Sequence, residues 1–268
     1  MSGVTKGKDF CWAQSLGNCG GGRSREHVVS KSILKLFSAV RVVGFRWCKE
    51  PLEVGTNLMA KHLCEVHNNS LTSTDETALR LFKLLRDYFD ETAQPKELAV
   101  EVEMDGLLLE RWFLKTAINL IVSHGEPLKW PQSEIDAALP ESLVRTAFGL
   151  DGFRWPAGLY FFGGQGQRVD SADGVKMQAL HQDDDSLGGV QWYFRGLDFI
   201  SWIEMGEQPV WMLSNGTLLR ADEIGSPLRY HPERFTFKGG NGRSCDVNFR
   251  WPQSNQGRVA TDQLLRFR

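Results

Sequence analysis

No stretch of the 268-residue chain is apolar for long enough to cross a bilayer. The longest nearly apolar pieces, such as residues 117–122, fall far short of the roughly 18 to 20 residues that a helical span needs. The opening residues, MSGVTKGKDF, lack the apolar core of a secretory leader. Cysteine is scarce and odd in number, five in all, which does not suit a disulfide framework. Together these absences lead us to expect a cytoplasmic protein with no membrane association, its thiols reduced and open to metal. Repeats and low-complexity tracts are missing as well. Net charge is only -2, which excludes a uniformly basic coat. With 41% hydrophobic and 24% charged residues, wholesale disorder is excluded too.

The small net charge conceals an asymmetry. Residues 1–90 hold 13 Lys and Arg against 9 Asp and Glu, a balance of +4; the rest hold 18 against 24, a balance of -6. A basic front joined to an acidic back suits a chain whose first part meets a polyanion. Cysteine and histidine are just as uneven, since 7 of the 11 lie within residues 1–67. Scattered core thiols and surface imidazoles would spread further. The clustering points to a metal or catalytic site built from the first quarter of the chain.

Local patterns give the scaffold. Residues 9–29 suggest two short extended pieces around Gly20-Gly21-Gly22, and Ser30 to Phe37 one or two helical turns. Val40 to Trp47 is β-branched and aromatic, a strand with Gly44 as a bulge. A helical turn is expected over Leu63 to Asn69. Ser73 or Thr74 then caps a stronger helix with Ala78, Leu81, Phe82 and Leu85 at 3-4 spacing. Residues 91–96 read as a linker. Beyond it we expect a strand at Leu98 to Met104 and an apolar helix from Leu107 to Val122. Short aromatic-rich runs follow, among them Leu159 to Phe162, Val175 to Leu180 and Val247 to Trp251, and these read as an antiparallel sheet. The expected class is α+β, with a small hairpin-and-helix unit over residues 1–92 and a mixed helical and antiparallel β domain over 93–268.

Three segments carry the chemistry: Cys11-x7-Cys19; Arg25-Glu26-His27 after the glycine run; and Asn57-Leu58 followed by Cys64-x2-His67-Asn68-Asn69. In the order Glu-His, then Asn, then CxxHN, they resemble the HNH endonuclease superfamily, nucleases of ββα-metal fold, over about residues 9 to 90. The resemblance implies a metal-dependent endonuclease acting on DNA. Its general base would be His27, with Asn57 bracing the loop that carries the base, and Glu26 with Asn68 binding Mg²⁺ or Mn²⁺. Asn69, next door, is the alternative to Asn68. Elementary chemistry is compatible with these roles. Phosphodiester hydrolysis needs a proton acceptor for water and positive charge at the phosphate. A neutral imidazole suits the first task, and a carboxylate with an amide oxygen suits a hard cation. Glu26 would, however, point away from His27 in a regular strand, and it ligates only if the strand ends or twists there. Arg23, Arg25, Lys31 and Lys35 are placed to contact flanking phosphates.

A second metal follows from spacing. Cys64-x2-His67 is a structural-zinc spacing, and Cys11 with Cys19 would complete four ligands, although seven intervening residues make a long loop. Cys48 or His62 could replace one member. So small a unit has little core, and zinc would hold hairpin to helix. Other signals are weaker. Gly239-Gly240-Asn241-Gly242 reads as a hairpin turn, Asp183-Asp184-Asp185 as a solvated turn, Asp75 as a helix-start acid, and the later tryptophans as core. Three functions compete: the nuclease, a non-catalytic zinc-stabilised module that binds nucleic acid or protein, and a thiol enzyme using Cys19 or Cys64. The thiol enzyme leaves Asn57 and Asn68 unexplained. The second domain would supply targeting or protein-partner contacts, an architecture similar to restriction and phage-defence effectors.

Overall fold

Regular structure is short at the front of the chain and long behind it. The computed structural model describes residues 11–37, 39–54, 58–89, 98–124, 139–154, 157–162, 167–169, 174–181, 185–194, 197–203, 212–214, 217–219, 228–239 and 242–251. A 3-10 turn at Gln14–Leu16 and a single helical turn, α1 (Lys31–Leu34), come first. The β-branched run then forms β1 (Ala39–Val43), paired antiparallel with β2 (Leu52–Val54). The expected strand ends early because Gly44, at φ 81°, turns the chain, and a bridge between Phe45 and Cys48 closes the turn.

Residues 23–28 pair with 58–64 in a short antiparallel ladder. Arg23 faces Cys64 and His27 faces Met59. The Ser24 N–H donates to the Leu63 carbonyl (3.0 Å), Val28 to Leu58 (2.8 Å) and Ala60 to Glu26 (2.9 Å). The step from His27 back to Arg23 is four residues, whereas Met59 to Cys64 is five. The extra residue is absorbed at Lys61, whose φ of 49° is left-handed, as in a bulge. The ladder leads into α2 (Glu65–Ser70) and, after Leu71, α3 (Thr72–Phe89). Ala78, Leu81, Phe82 and Leu85 share the buried face of α3, as their spacing predicts.

Then follow β3 (Ala99–Asp105), α4 (Gly106–His124) and α5 (Glu141–Ala147). Strands β4 (Gly158–Phe162), β5 (Gln167–Val169), β6 (Gly174–His181), β7 (Leu187–Phe194) and β8 (Leu197–Trp202) continue the chain. It ends with β9 (Met212–Ser214), β10 (Thr217–Leu219), β11 (Leu228–Tyr230), β12 (Arg234–Gly239) and β13 (Ser244–Arg250). Among the described residues the strands form two sheets. One runs β10-β9-β6-β7-β8-β4-β11, with β1 also beside β6 and β2 outside β1; the other runs β3-β13-β12-β5.

The α+β class is as expected, but the sheets are mixed rather than antiparallel. β1 with β6, β3 with β13 and β5 with β12 all run parallel. Each parallel pair joins strands remote in sequence, so a hairpin-based expectation, which sees neighbouring strands only, misses it. Through β1 and β6, residues on both sides of position 92 enter one sheet, and a single hydrophobic cluster includes both.

Helix α4 is the hub. It is apolar around most of its circumference, which is the pattern of a helix enclosed on all sides. Trp112 and Phe113 pack edge-on to Phe82 of α3 at 5.2 and 6.4 Å, and Phe113 lies 5.3 Å from Trp192 and 5.6 Å from Phe199 of the larger sheet. Phe161 of β4 then joins the sheets, 5.2 Å from Phe199, Phe235 and Phe249 alike. Trp112, Trp192, Trp202 and Trp251 are all buried, as core tryptophans should be.

Candidate metal centre and basic face

Four side chains from three segments converge beside the ladder. Cys11, Cys19, Cys64 and His67 bring their ligand atoms within 4.8 Å of one another. The His67 Nδ1 lies 3.4 Å from the Cys11 Sγ, 3.6 Å from the Cys19 Sγ and 3.2 Å from the Cys64 Sγ. A tetrahedral zinc with ordinary Zn–S and Zn–N bonds sets its S-to-N edges at about 3.5 Å, and the three edges at His67 match that length.

The local sequence explains the convergence. Cys64 is the N-cap of α2, and its sulfur accepts the His67 N–H at 3.5 Å, so the C-x2-H spacing places both ligands on the first turn. The other early donors of α2 are met from the front of the chain. Cys64 N–H reaches the Cys11 Sγ at 3.4 Å, Glu65 N–H the Gly22 carbonyl at 3.0 Å, and Val66 N–H the Gly20 carbonyl at 3.3 Å. The glycine run makes that approach feasible. A Cβ on Gly21, at φ 70°, would come within 2.6 Å of the Glu65 carboxylate. The long loop from Cys11 to Cys19 is shortened by its 3-10 turn and reversed by Gly17 and Asn18, both at positive φ.

The donor set also fits a cation electrostatically. Burial pushes the Cys11 thiol up to about 12, so a proton stays on that sulfur unless a metal replaces it. Burial works the same way on Cys64, but the N–H groups of His67 and Gly20 and the Cys11 and Cys19 thiols outweigh it, holding Cys64 below its ordinary value. Burial keeps His67 neutral, as a ligand must be, and its ring is fixed by a hydrogen bond to the Gly17 backbone and edge contact with Phe148 at 5.4 Å. Cys48 is not part of the cluster: its thiol donates to the carbonyls of Glu50 (3.0 Å) and Val42 (3.4 Å). The arrangement is a Cys3His centre of structural-zinc type.

On the adjoining ladder, exposure alternates. Arg23 and Arg25 are exposed and His27 half-buried, while Ser24, Glu26 and Val28 are buried. The strand stays regular through His27, so Glu26 turns inward, as a period of two dictates. This corrects the expectation that a twist would bring Glu26 round to the His27 side as a cation ligand. Its Oε1 is 2.8 Å from the Lys115 Nζ and accepts from the Asn119 Nδ2 at 3.1 Å, both from α4. Lys115 also meets Asp75 of α3 at 2.9 and 3.1 Å. Ser30 donates to Asp75, Trp112 Nε1 donates to Ser30 (3.2 Å), and Trp12 Nε1 donates to Asn119 (3.0 Å). Lys115 and Glu26 are only 2% and 4% exposed, which makes this a desolvated ion-pair network. Burial opposes the Lys115 charge, yet the carboxylates of Glu26 and Asp75 outweigh it and hold the ammonium above its usual range. Burial pushes Glu26 up despite Lys115.

The remaining candidates are distributed as follows. Asn68 is half-buried on α2, its N–H bonded to the Cys64 carbonyl at 2.9 Å; Asn69 beside it is exposed. Asn57 lies outside the described residues. Lys31 and Lys35 are exposed one helical turn apart, and Lys31 is close enough to act on His27. Burial first, and Lys31 second, hold the His27 imidazole below its ordinary value. Lys115 and Asn119 escaped the sequence reading. Their signal was a lysine and an asparagine set among the apolar residues of the central part of α4, a placement that usually means a buried partner. No family model, no curated protein and no solved structure matches this chain.

Proposed function

We propose that the chain is a zinc-stabilised nucleic-acid-binding protein whose Cys3His centre holds a basic ladder against the first turn of α2. The observation that carries the reading is the alternation along residues 23–27, which turns Arg23, Arg25 and His27 outward together while the next strand ends in the metal ligand Cys64. Lys31 and Lys35 extend the same charge, and the +4 balance of residues 1–90 agrees with it. Guanidinium groups on a fixed strand suit phosphate oxygens, and binding through them releases counterions. The fit of four ligands to one zinc explains why so short a ladder holds its register. Replacing Arg23 and Arg25 together by Ala tests this. Affinity for a mixed-sequence duplex should fall about equally for every sequence, and the salt slope should flatten by about two, with zinc content unchanged. Unaltered affinity and slope would remove the reading.

A second reading, hydrolysis of the bound phosphodiester with Mg²⁺ or Mn²⁺, is favoured by His27 itself. Burial and Lys31 favour the neutral form of its half-buried ring, which shares the outward face with the two arginines, as a proton acceptor for water requires. The resemblance to HNH nucleases supports it. Glu26 does not fit as the cation ligand while its carboxylate is held by Lys115 and Asn119, so no step is assigned to Glu26. Plasmid nicking that needs Mg²⁺ or Mn²⁺, stops with EDTA and disappears in His27→Ala would select this reading. Binding without nicking under any of these conditions would leave the non-catalytic one. In either case residues 93–268 are read as the targeting or partner-binding part.

A further inference from the structure

Three of the four metal ligands are buried and one is not. Cys11, Cys64 and His67 lie in the core, whereas Cys19 is exposed. It follows Gly17 and Asn18 at positive φ and precedes the run Gly20-Gly21-Gly22, so it sits on a surface turn rather than in a helix or strand. Its sulfur lies within 4.8 Å of the two buried sulfurs. An oxidant arriving from solvent therefore meets Cys19 first, and two further thiolates stand beside it.

We propose that Cys19 is an oxidation-sensitive ligand through which a hydroperoxide releases the zinc and disengages the basic face from nucleic acid. The inference rests on the polyanion-binding reading for its consequence, but its chemistry stands on the Cys3His geometry alone. In the first step the Cys19 thiolate attacks the O–O bond of the peroxide. An S–O bond forms, the O–O bond breaks, and hydroxide leaves, or the corresponding alkoxide. In the second step the thiolate of Cys11 or Cys64 attacks the Cys19 sulfur, forming an S–S bond and expelling hydroxide. Two thiolates have then given two electrons to the peroxide, and the released bases take up protons from solvent. Zinc retains one thiolate and His67 and departs, because two ligands do not hold it. The link to the basic face is direct. Cys64 caps α2 and pairs with Arg23, so loss of the centre frees the end of the ladder that carries Arg23 and Arg25.

The test uses the full chain loaded with zinc, hydrogen peroxide as oxidant and a fluorescein-labelled mixed-sequence DNA duplex as probe. Stoichiometric peroxide should release zinc to a chromogenic chelator, and peptide mapping should find Cys19 joined to Cys11 or Cys64. Duplex affinity should fall about tenfold or more as phosphate contacts are lost, and dithiothreitol with added zinc should restore it. Cys19→His keeps four zinc ligands and removes the exposed sulfur, so it should retain zinc and duplex binding under the same peroxide. Zinc retained by the wild-type chain under peroxide would overturn the proposal, as would a disulfide that excludes Cys19. Peroxide sensitivity unchanged in Cys19→His would overturn it too. Failure of the reduced, zinc-loaded chain to bind DNA sinks the polyanion reading instead, while zinc release and mapping still judge the oxidation step.

Discussion

Between Cys11 and Ser70 the longest regular element is the six-residue α2, whereas behind it stand a 19-residue helix and strands of seven and eight residues. The sheets are held by long ladders and by aromatic rings packed from Phe82 through Phe113 and Phe199 to Phe161 and Phe249. The front has a ladder pinned by isolated bridges and closed by sulfur at one end and a buried ion pair at the other. The front buries apolar side chains too, in the same core as the rest, but it has few regular hydrogen-bonded elements to fix them, and a zinc at the Cys3His centre would add free energy there. The basic ladder ends at Cys64, one of the four clustered ligands, which is the physical ground for expecting its binding to follow zinc occupancy.

The contrast breaks most sharply at Cys64. Cys64→Ala should take zinc from about one per chain to none and abolish amide protection along residues 23–28. Strands β6 to β8 should keep theirs. Apparent zinc affinities of structural sites, about 10–16 kcal/mol, set the scale of the loss. Metal analysis with hydrogen exchange measures both, and a variant that still holds zinc would undo the assignment of the centre.

Next in size is Lys115→Met. It leaves Glu26 and Asp75 buried without their cation, which costs about 3–5 kcal/mol. Adding Glu26→Gln should return part of that loss, because the remaining amide no longer carries a buried charge. Chemical denaturation of the single and double variants decides it: equal instability in both would mean that Lys115 acts through packing alone.

The smallest effect belongs to the solvated face of the second sheet. Arg234 beside Asp246, with Thr236 assisting against partial burial, holds that carboxyl below its ordinary value of 3.8. A carboxyl depressed on folding contributes stability that is complete above 3.8 and is lost as pH falls through its folded value. Asp246→Asn should therefore lower the melting temperature slightly at neutral pH, and the gap to wild type should close in acid. A gap that widened on acidification would reverse the sign of this argument.

The chain's own pattern disclosed the helical face of α3, the central helix α4, most of the later strands and the Cys64 and His67 ligand pair. Each of these is written in local spacing, whether 3.6, 2 or C-x2-H, and needs no knowledge of distant partners. What Cys11-x7-Cys19 left open, with Cys48 and His62 as rivals, was settled by a loop whose 3-10 turn and positive-φ residues bring Cys19 back to the others. The parallel pairings were beyond sequence patterns because their partners lie a crossover away. The fate of Glu26 was decided in the same way. Its strand parity pointed inward all along, but only the packing of α4 against the ladder put an ammonium there to receive it. A charge in a sequence specifies what it can bind; the neighbours that desolvate it decide which partner it takes.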